Sequence, residues 1–174
     1  IDYRGSRVLG IGDDVDFRHG LPAKNIYYAR GVDEHVSFDI NGKNGAVPLD
    51  LNMEIPNKYH NVFNIVTNYG TIEHVNNQYS VFKNIHDAAT VGAVFIHGFP
   101  LMGNWPLHGR YYYCPCVLRD LCRRIGYKMV VTHVDHVFDP PKPDDKDVFA
   151  AWIKTSDRPF ISEGEFANIK IYDS

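Results

Sequence analysis

The chain has 174 residues, 44% of them hydrophobic and 22% charged, a balance that excludes a disordered tail and suits one globular domain spanning residues 1–174. A chain this long buries roughly 70% of its unfolded surface, enough for a core without metal or disulfide staples. The net charge of −3 excludes a general binder of nucleic-acid backbones, and no apolar run reaches the roughly 20 residues that span a bilayer.

Ser6 to Asp14 is an apolar run ending in Gly and Asp, which reads as a buried strand and a tight turn. Residues 14–22 read as loop. Ala23 to Arg30 reads as a helix closed by Gly31. His35 to Ile40 alternates like a strand. Ala46 to Leu51 reads as a short third strand bearing Asp50, and Val62 to Thr67 as a fourth. Asn76 to Ala89 places Tyr79, Val81, Phe82, Ile85 and Ala88 at helical spacing. Gly92 to Phe99 is almost wholly apolar, which predicts a strand covered on both faces. Residues 100–113 read as a loop rich in Gly, Trp, His and Tyr, and Val117 to Ile125 as a helix. Strands are predicted over Lys128 to Val137 and Val148 to Thr155, with a short terminal strand at Ile169 to Ile171. Strands alternate with helices, which predicts an α/β fold with a mostly parallel sheet of about seven strands.

Cysteines 114, 116 and 122 are odd in number and clustered, a poor disulfide framework that fits a reducing compartment. The N-terminus has no apolar signal core, so a cytoplasmic location is expected. Cys114-Pro115-Cys116 lacks the second pair of a zinc site. His133 and Asp135 share one strand face while His136 takes the other, so no metal site is expected there or elsewhere.

In an open α/β sheet, ligands bind outside the carboxyl ends of the strands near the switch point. Those ends carry Gly10-Ile11-Gly12, Asp39, Asp50 and the string Asn64-Ile65-Val66-Thr67-Asn68-Tyr69-Gly70-Thr71-Ile72-Glu73-His74-Val75. A glycine turn permits close backbone approach, and a carboxylate after the second strand can accept hydrogen bonds from a ribose diol.

This ordered series, with Val36-Ser37-Phe38-Asp39-Ile40-Asn41-Gly42, Leu49-Asp50-Leu51-Asn52 and Gly92-Ala93-Val94-Phe95-Ile96-His97, resembles the class I S-adenosylmethionine-dependent methyltransferases over roughly residues 6–137. The resemblance implies a Rossmann-like fold and S-adenosylmethionine as cofactor. It implies ribose binding by Asp39, adenine binding by Asp50 with Leu51 flanking the ring, and methionine contacts from Gly10, Gly12, Asn68 and Tyr69. The glycine turn departs from the family pattern. The third glycine is missing, and Asp13-Asp14 follow the turn. Two carboxylates there repel a pyrophosphate but tolerate a sulfonium, which weighs against a nucleotide-dependent oxidoreductase.

Methyl transfer to a hydroxyl needs a base, and His74, His97 and His108 are the candidates. His97 is read at the end of the fifth strand, and His108 in the aromatic loop that walls an acceptor pocket. Plainer readings stand beside these. The aspartates can cap strand ends, Glu73-His74 can cap the start of the next helix, His97 can be a satisfied histidine at a strand end, and His108 and Trp105 can be loop packing. The expected acceptor is a small molecule or glycan, with oxygen as the methylated atom. An inactive methyltransferase-like binding or assembly module is the alternative.

Overall fold

The computed structural model describes residues 3–12, 15–16 and 20–173. The elements in chain order are β1 (Arg7–Ile11), β2 (Val15–Asp16), β3 (Leu21–Pro22), α1 (Lys24–Ala29), β4 (Glu34–Phe38), β5 (Phe63–Tyr69), α2 (Gln78–Ala88), β6 (Ala89–Pro100), β7 (Tyr111–Tyr112), α3 (Pro115–Arg124), β8 (Lys128–His136), β9 (Lys146–Ile153), α4 (Glu163–Phe166) and β10 (Tyr172–Asp173). Six strands form the central sheet in the order β4-β1-β5-β6-β9-β8. Strands β4, β1, β5 and β6 run parallel, while β9 is antiparallel to both its neighbours. The order runs outward from β1 and β5 in opposite directions, so the switch point lies between them.

The Rossmann-like expectation holds with one strand fewer. Ala46 to Leu51 contributes a single bridge, Phe38 to Val47, in place of a third strand. Pro48 has no N–H to continue the ladder. The short terminal strand also moves, from Ile169–Ile171 to β10, which pairs with β7.

The main core lies on one face of the sheet. Along β6 the rings of Phe95, His97 and Phe99 succeed one another on that face, and Trp152 of β9 packs beside them. Helix α2 presents Val81, Phe82, Ile85 and Ala88, a spacing of three and four that forms one buried stripe. Its first turn is capped by Asn77, whose side chain accepts from Ser80 N, an interaction worth about 1 kcal/mol. Its last carbonyls are met by a buried lysine. Lys154 Nζ donates to His86 O and Ala89 O, both at 2.9 Å, where a cation also complements the helix dipole. Helix α3 opens on Pro115, tolerated at a first helical position, and buries Val117, Leu118, Leu121 and Cys122.

On the opposite face, a small cluster of Val8, Val32 and Ile65 lies with Tyr3 and Tyr27 of α1. Cover there is incomplete. Val94 and Ile96 of β6 are half-buried, so the strand is not enclosed on both faces as its apolar sequence predicts. The cysteine reading also changes: Cys114 and Cys116 are joined by a disulfide across the Pro115 turn, and Cys122 is free and buried. The extended Cys114 meets the first helical turn there, which brings the two α-carbons to 5.3 Å. No helix among the described residues is long and apolar enough to cross a membrane.

Candidate functional site

The carboxyl ends of β1, β4, β5 and β6 share one rim. Gly12, just past β1, has φ of +105°, and its N–H donates to Phe38 O at 2.8 Å, tying the turn to β4. Gly10 serves packing. A Cβ there would stand 3.3 Å from His35 Nε2 of β4. That imidazole stacks on Tyr27 at 4.9 Å, and burial, helped by the Lys24 charge, holds its pKa down at about 4. The cleft between α1, β1 and β4, lined by Gly10, Gly12, Lys24, His35, Ser37 and Thr67, has free space of about 10 Å³, the size of one water. A nucleoside on this rim therefore has to lie outside that cleft. Asp13 and Asp14 fall outside the described residues.

Asp39 directly follows β4 and is half-buried. Its Oδ1 accepts from Asn41 N at 2.8 Å, and Oδ2 has no donor among the described residues. Asp50 is exposed and closes a similar turn with Asn52, whose Oδ1 in turn accepts from Asn77 N at 2.8 Å. Leu51 is 5% exposed and belongs to the main core, so it does not flank a ligand ring. The apolar surface on this side comes from Ile40 and Met53, 72% and 66% exposed, which follow Asp39 and Asn52 in the chain.

Asn68 of β5 is fully buried and its amide is committed. Nδ2 donates to Gly98 O at 3.2 Å, while Oδ1 accepts from Thr71 N at 3.3 Å and Ile72 N at 3.0 Å. It shapes the turn after β5, and its side chain, with no exposed surface, is turned to that task. Tyr69 stands on the rim, 45% exposed, with its ring against Gly98. His97 is removed from the candidate bases. It lies in mid-strand because β6 continues to Pro100, it is wholly buried among Phe95, Phe99 and Trp152, and burial pulls its pKa down to about 3.

His74 and His108 do come together, around Glu73, for which the plainer expectation is a helix cap. Glu73 lies in a 3-10 turn, Ile72–His74, directly after β5. Its side chain is fully buried, and neither carboxylate oxygen has a hydrogen-bond partner. Oε1 stands 3.7 Å from His74 Nε2 and 3.5 Å from His108 Nε2, and both imidazoles are half-exposed. The loop after β6 closes over this carboxylate at Gly109, where a Cβ would come within 2.9 Å of Glu73 Cγ.

Several contacts fix this arrangement. Gln78 Nε2 donates to Ile72 O and Val75 O, and the Tyr113 hydroxyl bonds Gln78 Oε1. Tyr111 OH donates to Asn76 O at 2.9 Å. Trp105 Nε1 donates to Lys146 O at 3.0 Å, and the Trp105 ring lies 5.4 Å from that of His108. The polar contact with Glu73, only partly offset by burial, raises the His108 pKa, and the charges of Glu73 and Asp147 add to it. Asp147, at the start of β9 and paired with Pro100, is pushed up to about 7 by burial and then by the Glu73 charge. The rim is thus acidic, with two imidazoles set into it. Of the other histidines, His133 and Asp135 pair on an exposed face at 3.3 Å, and His136 pairs with Asp145.

Compared with protein-family models and with curated proteins, the sequence matches none. Its fold matches solved structures over most of its length. An S-adenosylmethionine-dependent methyltransferase from Mesorhizobium loti superposes with a TM-score of 0.62 at 13% identity, covering 88% of this chain and 93% of that one. The 1,6-didemethyltoxoflavin-N1-methyltransferase of Burkholderia thailandensis, with 1,6-didemethyltoxoflavin and S-adenosylhomocysteine bound, gives 0.63 at 15% identity, covering 88% and 72%. The N-methyltransferase NodS from Bradyrhizobium japonicum, in complex with S-adenosylhomocysteine, gives 0.63 at 11% identity, covering 88% and 80%. The fold is that of the class I S-adenosylmethionine-dependent methyltransferases.

Proposed function

We propose that this protein is an S-adenosylmethionine-dependent methyltransferase, a single domain that methylates an oxygen of a small molecule or glycan. The observation that carries the reading is the placement on one rim, on either side of the switch point, of the Asp39 carboxylate after β4 and the Glu73–His74–His108 cluster after β5. Fold alone does not fix a reaction, so the reading rests on these groups. The bound cofactor supplies a methyl group on a cationic sulfonium.

Asp39 accepts hydrogen bonds from the ribose hydroxyls, and Asp50 accepts from the adenine amine. Ile40 and Met53 offer apolar surface to the base, and the left-handed Gly12 admits backbone close to the amino-acid end. Tyr69 borders the reacting position. An acidic rim built from Asp39, Asp50 and Glu73 favours a cation and disfavours a pyrophosphate. His74 or His108 takes the acceptor's proton, and the buried Glu73 carboxylate stabilises the imidazolium that results. The loop carrying Trp105 and His108 walls the acceptor.

One observation favours a second reading, an inactive module of the same fold: the cleft under α1 holds only water-sized space. Isothermal titration with S-adenosylmethionine and S-adenosylhomocysteine separates the two. Saturable binding supports the enzyme, and no heat at millimolar ligand overturns it.

A further inference from the structure

The sequence offers no regular metal motif, yet the carboxyl rim gathers a buried carboxylate and two imidazoles. The ligating atoms of Glu73, His74 and His108 lie within 4.8 Å of one another. The two nitrogens stand 3.7 and 3.5 Å from the same Glu73 oxygen. Ligands bound at about 2.0–2.2 Å to a tetrahedral cation are roughly 3.4 Å apart, so these separations need little adjustment. Glu73 gives an independent indication. A wholly buried carboxylate that accepts no hydrogen bond is costly, and such groups are paired or hold metals. Gly109 and Gly70 leave room for it, with a Cβ on Gly70 standing 3.5 Å from Oε1.

We propose that Glu73, His74 and His108 form a binding site for a divalent first-row transition cation, held on the rim at the end of β5. Two imidazoles with one carboxylate suit zinc, cobalt or iron better than magnesium or calcium, which prefer all-oxygen shells. Three protein ligands leave a coordination position open, and the half-exposed histidines turn it toward solvent. On the methyltransferase reading, which this part of the inference rests on, the open position takes the acceptor oxygen. The cation lowers the pKa of the bound hydroxyl, so that its proton passes to solvent on the half-exposed side. The oxygen then forms its bond to the methyl group as the sulfur–methyl bond breaks, and the cofactor leaves as the neutral thioether. The acceptor class narrows to hydroxyl-bearing molecules able to ligate a metal.

A second trio, Glu54, His60 and Asp87, is also close, but Lys83 Nζ already pairs with Glu54 at 3.7 Å and with Asp87 at 2.5 Å. It serves as the control.

The test is titration of the metal-free full chain with cobalt(II), read by visible absorption and by calorimetry, without cofactor. We expect one equivalent to bind with the absorption of a four- or five-coordinate site. His74→Ala and His108→Ala should each weaken it at least tenfold while keeping the wild-type circular dichroism, since both side chains are half-exposed. Glu73→Gln should do the same, and His60→Ala should bind as wild type. Absence of binding at millimolar cobalt, or binding unchanged in both rim-histidine variants, overturns the site. Cobalt binding without S-adenosylmethionine binding keeps the site and removes the methyltransferase reading. Cofactor binding without cobalt binding does the reverse.

Discussion

His97→Leu should change how stability depends on pH while leaving the rim intact. In the folded chain His97 is fully buried and its pKa is held at about 3, against the ordinary 6.5. A histidine with a depressed folded pKa stays neutral while the unfolded chain takes up its proton. Its contribution is therefore present above pH 6.5 and is lost as pH falls toward 3. At pH 7.5 the difference in proton uptake costs almost nothing. At pH 4.5 the unfolded imidazole is about a hundredfold protonated and the folded one is not, which costs about 2.7 kcal/mol at 1.36 kcal/mol per unit. Leucine does not titrate and is similar in volume, with Phe95, Phe99 and Trp152 as its neighbours. The stability of the variant relative to wild type should rise by about 2–3 kcal/mol between pH 7.5 and 4.5, whatever its offset at neutral pH. Urea unfolding curves at several pH values measure this directly. A relative stability flat across that range would mean that His97 titrates normally, and would return it to the list of accessible bases.

Other outcomes follow from the rim. Asp39→Ala should weaken S-adenosylmethionine binding tenfold or more by calorimetry, equivalent to about 1.4 kcal/mol, and unchanged affinity would remove Asp39 from the site. Asn68→Ala strips the partner from the buried Ile72 N and the part-buried Thr71 N and removes one of two donors to Gly98 O, so it should cost about 2–4 kcal/mol in chemical denaturation. A loss under 1 kcal/mol would mean that the turn does not depend on that amide. Gly109→Ala sets a methyl 2.9 Å from Glu73 Cγ and should lower stability by about 1–3 kcal/mol. Combining it with Glu73→Ala, which removes the crowded Cγ, should recover part of that loss in thermal melts, and simple additivity would show that the two groups are not in contact.

Much of the fold was legible because its signals are local. The stripe of α2, Gly31 behind α1 (φ +82°) and the apolar run of β1 each announce themselves within a few residues. The failures have non-local causes. Ala46 to Leu51 reads as a short strand, but pairing beyond Val47 needs an N–H that Pro48 lacks. The burial of His97 is decided by β9, some fifty residues later, and by a strand that runs three residues past it. Leu51 reads as a surface neighbour of Asp50 because nothing nearby shows that the main core reaches it. The site was half legible. Asp39, His74 and His108 could be picked by position and residue type. The central place of Glu73 could not, because it is created by Gly109 folding back from another loop. A glycine directly after a histidine in an aromatic loop was the one available hint.

The amide of Asn68 ties β6 to the backbone of the turn that carries Glu73 and His74. That turn therefore inherits its position from the hydrogen-bonded central sheet. Whatever docks at this end of the rim meets groups already in register and needs no induced closure to align them. Selectivity there should come from shape and charge at first encounter, with conformational adjustment left to the loop bearing His108.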